Sequence, residues 1–553
     1  MEYHNETPGE FPSVTNIALA SDSTGVYLNT AINVDVSLPN MGAGVEANTL
    51  NITNVQLYRT QDNALVPGIV NTTGGGDAIV FQPSVQLEPN TNYTFIVTNS
   101  VLDESGASFI PYSTTFNTGT NTISISDSSV QFTKSTVYQG SAISSLAIAP
   151  DSRLYATTLD GKILRWDIDS SGNLENLQTY TPAELNNRAI IGAAFEPNTS
   201  DQLNLWISNN DPLYPQPAND FTGKISKITI ESGSDFNASI QDYITGLPRS
   251  GKDHLSNSLA FGPDDKLYLT QGSNTATGNP DPTWYNRPER LLSAAVLQID
   301  PTQTPPPEGF NVQTENYTNS QGVTTIGNYN PDAADAPVKV FATGVRNAYD
   351  LVWHSNGKLY VPTNGTAAGG NTPDDPTTPT NEALTNVGTQ NDYLFKIEPD
   401  GGGYYGHPNP LRQEYILNGG SPSSEVDMAE VVAKDRYSGY SEGTLPDPDY
   451  QGAAFDFGRN RSPNGIIEYK SDTFNGALKN KLLVVEYSGG DDILALTPDP
   501  NGNIAAENVS QVVLGLTDPV DLIEDTQKNF GNLYVAELID GGAKGQISLL
   551  DPI

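Results

Sequence analysis

Cysteine is absent from all 553 residues, so disulfides, thiolate metal sites and cysteine nucleophiles are excluded together. Positive charge is scarce: 27 Lys and Arg face 65 Asp and Glu, a formal charge of -38. Such a surface repels a phosphate backbone, and nucleic acid is not an expected partner. Acidic loops suit calcium, a hard cation that takes carboxylate and carbonyl oxygens, although surplus carboxylates also serve solubility alone. No apolar run approaches the roughly 18 residues of a membrane span. The opening "MEYHNETPGEF" has neither a basic n-region nor an apolar core, so this sequence carries no export signal and reads as a soluble chain. Sustained helical periodicity is also nearly absent. Asn-x-Ser/Thr triplets such as Asn92-Tyr-Thr and Asn316-Tyr-Thr occur, at the frequency a chain rich in Asn and Thr produces by chance.

What is present is β-sequence. Gly (50) and Pro (39) punctuate short runs rich in Val, Ile, Leu, Tyr and Thr. Residues 10–120 end in "LEPNTNYTFIVTNSVLDESGASFIPYSTTFNTG": a turn, an alternating strand from Tyr93 to Val97, a polar turn and a closing strand. That pattern predicts a β-sandwich of about 100 residues. From residue 125 to 553 a unit of apolar strand, Pro or Asn-Gly turn and second strand recurs six times, starting at Ser144, Ile190, Ser256, Asn347, Asn464 and Pro519. Six copies predict six four-stranded blades closing into a propeller, with Pro519 to Ile553 completing the last. Long insertions at 275–290, 302–335, 364–390 and 404–460 are expected to rim the central channel.

Two stretches carry family resemblances. The Leu-x-Pro-x-Thr-x-Tyr and Val-x-Asp-x-x-Gly patterns of the first part resemble bacterial Ig-like domains found beside surface and secreted modules. In the second part "RAIIGAAFEP" (188–197), "DHLSNSLAFGPDDKLYLTQG" (253–272), "ERLLSAAVLQIDP" (289–301), "VFATGVRNAYDLVWHSNGKLYV" (340–361) and "NDYLFKIEPDGGGYYGHPN" (391–409) resemble the soluble glucose/sorbosone dehydrogenases. These are six-bladed propellers that use pyrroloquinoline quinone (PQQ) and calcium. The fold class expected is therefore all-β, an N-terminal Ig-like β-sandwich followed by a six-bladed β-propeller, in the extracellular space, the periplasm or at the cell surface.

The resemblance implies that His254, with Asp253 beside it, is the base that takes a proton from a sugar hydroxyl while hydride passes to the quinone. Replacing His254 by Gln is expected to keep the fold, since a rim loop carries little core. A His254 buried against a backbone carbonyl would instead read as blade scaffolding. It also implies cofactor contacts. The family's Arg-Asn pair after the third-blade strand falls on Ser273-Asn274, so only Asn274 matches. Its fifth-blade lysine falls on Ser488, and the arginines opening its sixth blade fall on Asp518 and Val520, with Asp491 and Asp492 near by. A tricarboxylated quinone is repelled there unless calcium, Arg459, Arg461 or Lys470 intervenes. Two functions follow: an exported quinoprotein-like dehydrogenase of an aldose or polyol, or a non-catalytic extracellular propeller that binds glycans or a surface protein.

Other signals read as structural. "GYSEG" (439–443) fits Gly-x-Ser-x-Gly, but its polar, proline-rich flanks do not supply the strand and helix a nucleophile elbow needs. "DIDSSGNLENLQ" from Asp167 starts like a calcium loop but ends on Gln178 where Glu is required, and reads as an inter-blade turn. His354 precedes a turn and reads as structural. The resemblance assigns Arg346-Asn347 to blade closure. His407 and Trp284-Tyr285 fall in rim loops, either stacking on sugars or packing beneath the loop.

Overall fold

The computed structural model describes residues 11–19, 21–22, 24–39, 44–122, 125–126, 129–197, 202–231, 233, 235–366, 369–421 and 439–553. The first ten residues of the opening stretch and residues 422–438 of the 404–460 insertion lie outside them.

Two four-stranded antiparallel sheets face each other in the first part. One holds Ser13–Ala18, Ile32–Ser37, Ala78–Pro83 and Gly68–Thr72, the other Tyr112–Asn117, Asn92–Val97, Val55–Arg59 and Ala64–Leu65. The alternation read in Asn92–Val97 places Tyr93, Phe95 and Val97 in the core while Asn92 faces out. Phe95 packs edge-on to Phe81 of the opposite sheet, ring centroids 6.4 Å apart.

Six blades follow. Their innermost strands are Ile143–Ile148, Ala189–Phe195, Ser256–Phe261, Val352–Trp353, Pro463–Glu468 and Pro519–Glu524, each heading an antiparallel sheet of four propeller strands. Packing runs from each innermost strand to the next and from the last back to the first, which closes the ring. The last blade takes its outermost strand from the start of the propeller: Phe132–Gly140 pairs antiparallel with Lys544–Pro552, from Phe132 opposite Pro552 to Gly140 opposite Gly545. The predicted sixth blade is thus completed by a strand from upstream of the repeats. The blades bury nearly continuous apolar runs, as in Leu267–Gln271, so their strands show less alternation than those of the sandwich. Among the described residues the helices are 3-10 turns of three or four residues, and none is long and apolar enough to cross a membrane.

The Asp167–Gln178 stretch needs correction. It joins the third and outermost strands of one blade, Ile163–Ile168 and Leu174–Tyr180, so it lies within a blade rather than between two. Asp169 Oδ1 accepts the Ser171 and Asn173 amides at 2.8 Å each, the ordinary chemistry of an Asp-headed turn. Ser441 of "GYSEG" sits exposed in a turn.

Candidate functional site

His254 enters the third blade from a loop fixed by its own backbone. Ser250 N donates to His254 O at 3.1 Å, and Ser250 Oγ accepts from His254 N at 3.0 Å. Buried Arg249 ties this loop down, donating to the carbonyls of Ser250 (2.7 Å), Lys252 (2.8 Å) and Pro212 (2.9 Å). The imidazole is buried. Its Nδ1 lies 3.1 Å from the Ser273 carbonyl and 2.9 Å from Ser273 Oγ, and Ser273 Oγ donates to Thr275 O. The carbonyl accepts only, so it selects the tautomer with the proton on Nδ1 and a lone pair on Nε2. Trp284 covers the ring at a centroid distance of 4.4 Å. A Cβ on Gly272 would meet His254 Cβ at 2.8 Å, which is why the strand end carries glycine. Burial, and then the charge of Arg346, hold the His254 pKa well below the usual imidazole value. The ring is neutral at physiological pH.

Glu289 braces the loop that carries Ser273. Its carboxylate accepts from the amides of Asn274 (3.1 Å) and Thr275 (2.9 Å) and lies 3.0 Å from His407 Nε2. Burial pushes the Glu289 carboxyl up, but the His407, Ser293 and Thr275 bonds outweigh it and leave its pKa below the ordinary value. His407 is therefore packed beneath the rim, as is Trp284. His354 is structural: its Nε2 bonds the Asn480 carbonyl at 2.9 Å.

His254 and Asp253 share a cavity of about 70 Å³. Arg346, Asn364, Gln390, Asp392, Asn460 and Ser462 form its propeller walls. Four buried polar atoms around it have no partner among the described residues: Asp253 Oδ1, Asn364 Oδ1, Gln390 Nε2 and Asn460 Nδ2. Arg346 donates to Ala276 O at 2.9 Å and Gly365 O at 2.7 Å, so it joins blades and lines the cavity at once. Burial lowers its pKa, and the fields of Asp77, Asp253, Asp392 and Glu289 oppose that shift. Asp392 accepts three backbone amides, from Gly365 (2.7 Å), Arg461 (2.8 Å) and Ser462 (2.8 Å), yet burial still pushes its pKa up to about 6.

The remaining cavity wall comes from the sandwich. The turn between Gly68–Thr72 and Ala78–Pro83, residues 73–77, lines the cavity beside Asp253 and His254. Asn71 Nδ2 donates to Tyr487 O at 3.1 Å and to Asp518 Oδ1. Ser488 Oγ donates to Thr72 O at 3.4 Å and pairs with Ser462 Oγ at 2.8 Å. Asp35 of the sandwich lies 3.7 Å from Arg459, and Tyr214 OH lies 3.4 Å from Glu104 Oε1.

The expected site residues divide accordingly. His254 and Asp253 come together. Asn274 is buried beneath them, its amide on Glu289 and its Nδ2 on Pro288 O at 3.0 Å. Arg459 and Arg461 are not brought to this cavity but line a groove of about 820 Å³ between the sandwich and the fourth and fifth blades. Arg461 bonds Glu486 Oε1 at 3.0 Å and sits 3.9 Å from Asp492, both fully buried, so its charge is consumed there. Its chain neighbours Asn460 and Ser462 take the cavity side instead. Lys470 pairs with Glu468. The sequence reading missed Asp392, Gln390 and Asn364, assigned Arg346 to closure alone, and had no signal for a sandwich turn at the site. Among the described residues no group of three or more His, Asp or Glu is arranged to hold a metal ion.

Comparison with known proteins agrees with this architecture. Residues 9–118 match the family described as bacterial Ig-like domain, and residues 145–166 match strictosidine synthase-like, N-terminal. Quinoprotein glucose dehydrogenase B of Acinetobacter calcoaceticus is 26% identical over 225 residues, 38% of this chain and 43% of that protein. The match thus spans less than half of that curated relative. Among solved structures, the holo form of the pyranose dehydrogenase PQQ domain from Coprinopsis cinerea aligns with a TM-score of 0.50 at 12% identity, over 75% of this chain and 95% of that one. The PQQ-bound aldose sugar dehydrogenase of Streptomyces coelicolor aligns with a TM-score of 0.45 at 15% identity, over 77% and 99%. The pyranose dehydrogenase likeness is one of fold. The chain resembles the soluble sugar dehydrogenase propellers and carries an Ig-like domain at its N-terminal side.

Proposed function

We propose that the propeller is a sugar dehydrogenase-like domain that holds an aldose or polyol hydroxyl against His254, which takes its proton. The observation that carries this reading is a buried neutral imidazole, oriented by the Ser273 carbonyl, in a cavity whose unpartnered atoms include both donors and acceptors. Hydroxyls donate and accept at once, so a polyol can satisfy Asp253 Oδ1 and Asn364 Oδ1 as well as Gln390 Nε2 and Asn460 Nδ2. The partial match to a quinoprotein glucose dehydrogenase supports the same substrate class.

The residues present do not fit a tricarboxylated quinone. The positions expected to hold its acid groups carry Ser488, bonded to Ser462, and Asp518, bonded to Asn71. Asp491 behind them is pushed well up by burial and then by the Asp518 charge, so that corner disfavours a further negative charge. The chemistry assigned to this chain's own residues is therefore to orient a hydroxyl and accept its proton.

The same misfit favours a second reading, an extracellular propeller that binds glycans without oxidising them. Calorimetric titration with aldoses, run beside dye-linked oxidation after adding PQQ and calcium, separates the two. Oxidation supports the enzyme, binding without oxidation supports the second reading, and the absence of both overturns the sugar assignment.

A further inference from the structure

The turn at residues 73–77 is a shaped insert. Thr73 Oγ1 bonds Asp77 Oδ1 and accepts the Asp77 amide at 3.1 Å, while Gly76 N donates to Thr73 O at 2.9 Å. Val45 N donates to Gly76 O at 2.8 Å and backs the turn from the sandwich side. A Cβ on Gly76 would come within 2.6 Å of Gly44 Cα, so the two loops touch backbone to backbone. On the propeller side a Cβ on Gly74 would lie 3.3 Å from Asp253 Oδ2. The turn thus rests on the residue beside His254, and Asn71, two residues before it, is bonded to Tyr487 O and Asp518.

With the turn in place the cavity holds about 70 Å³, well short of the roughly 300 Å³ at which small-molecule pockets begin. Asp77 faces this space together with Arg346, whose other carboxylate neighbours belong to the propeller. Asp77 thus brings a sandwich carboxylate into the field of Arg346.

We propose that the Ig-like domain supplies part of the binding site: its 73–77 turn covers the cavity, and a ligand reaches His254 only when the turn lifts off its Asn71 anchor. The identity of that ligand as a polyol rests on the function proposed above, whereas the gate itself does not. Because Asn71 and its partners Tyr487 and Asp518 lie on different domains, the energy that holds the gate shut is interdomain contact. A shift of the sandwich relative to the propeller opens it without disturbing either core.

The chain has no cysteine, which permits a direct test in the full-length protein. His254→Cys places one thiol on the buried cavity wall that the turn covers. Its labelling by a maleimide is expected to be at least about 100-fold slower in the folded protein than in urea, and faster by about tenfold when Asn71→Ala is added, the worth of roughly one to two hydrogen bonds. Asp518→Ala, on the propeller side of the same bond, should release the thiol by an independent route if Asn71→Ala proves unstable. Folded and unfolded labelling rates within a few-fold of each other, or rates unmoved by both anchor variants, overturn the proposal. A protected thiol released by either variant, with no glucose binding in any chain, supports the gate and removes the sugar assignment. Glucose binding that tightens in parallel with thiol release supports both.

Discussion

Asp518→Asn should stabilise the protein, and more at pH 8 than at pH 5. Asp518 is half-buried, sits at φ +43°, accepts Asn71 Nδ2, and has its pKa raised from 3.8 to about 7 by burial, with the Glu537 charge adding to the shift. A carboxyl whose folded pKa lies above its unfolded value binds its proton more tightly when folded. Stability then falls as pH rises from about 4 to about 7 and stays low above that. The full shift of about three units corresponds to about 4 kcal/mol. The portion between pH 5 and pH 7 is about two units, and we halve it for solvent access to about 1.5 kcal/mol. An asparagine amide oxygen still accepts from Asn71, and asparagine tolerates the left-handed backbone as aspartate does. Urea unfolding at pH 5 and pH 8 measures the difference. A gain that is the same at both values, or a loss at pH 8, would refute the assignment of Asp518 as a penalised buried carboxylate.

Three further outcomes are expected. Any dye-linked aldose oxidation the protein shows should fall by about 10² to 10⁴-fold in His254→Gln while circular dichroism stays unchanged; unchanged turnover would reduce the loop to scaffolding. The His254 ring should titrate well below the usual imidazole range in a proton NMR series, because burial and Arg346 both oppose its charging; a midpoint near 6.5 would show an open, solvated ring. Arg461→Met should destabilise the protein by about 3 to 5 kcal/mol by leaving Glu486 and Asp492 buried without their cation, read as a lowered denaturant midpoint; a neutral result would mean that these carboxyls are protonated in the native state.

The six blades were legible because each innermost strand and its following turn are written into a short stretch, as in Ser256 to Gln271, and need no distant partner to be recognised. The sandwich alternation at Asn92–Val97 was legible for the same reason. The site was legible only where it is local. His254 and Asp253 stand at a fixed place before a strand, whereas the direction of Arg461 is set by irregular pairing: register shifts between Asp392 and Tyr393 and between Pro463 and Ile466. A bulge of this kind turns successive side chains to faces that period-two reasoning cannot assign. Burial explains the other surprise. His254 lies buried in a cavity wall rather than in an open rim loop, so it bonds a carbonyl, the mark expected of scaffolding, and still faces the cavity.

The sandwich turn had no local signal, since a Gly-rich stretch between two strands looks like any hairpin tip. Its meaning lies in what receives it. Ser488 and Asp518 stand where the resemblance leads one to expect cations, and both contact the hairpin, Ser488 through the Thr72 carbonyl and Asp518 through the Asn71 amide. A lysine or arginine at position 518 could only donate, and Asn71 Nδ2 would keep only the Tyr487 carbonyl as acceptor. The exchange that weakens the corner for an acidic ligand is thus the one that lets it hold the hairpin. Two departures that look like decay of a binding site, taken one residue at a time, form a single interface once the Ig-like domain is placed against the propeller.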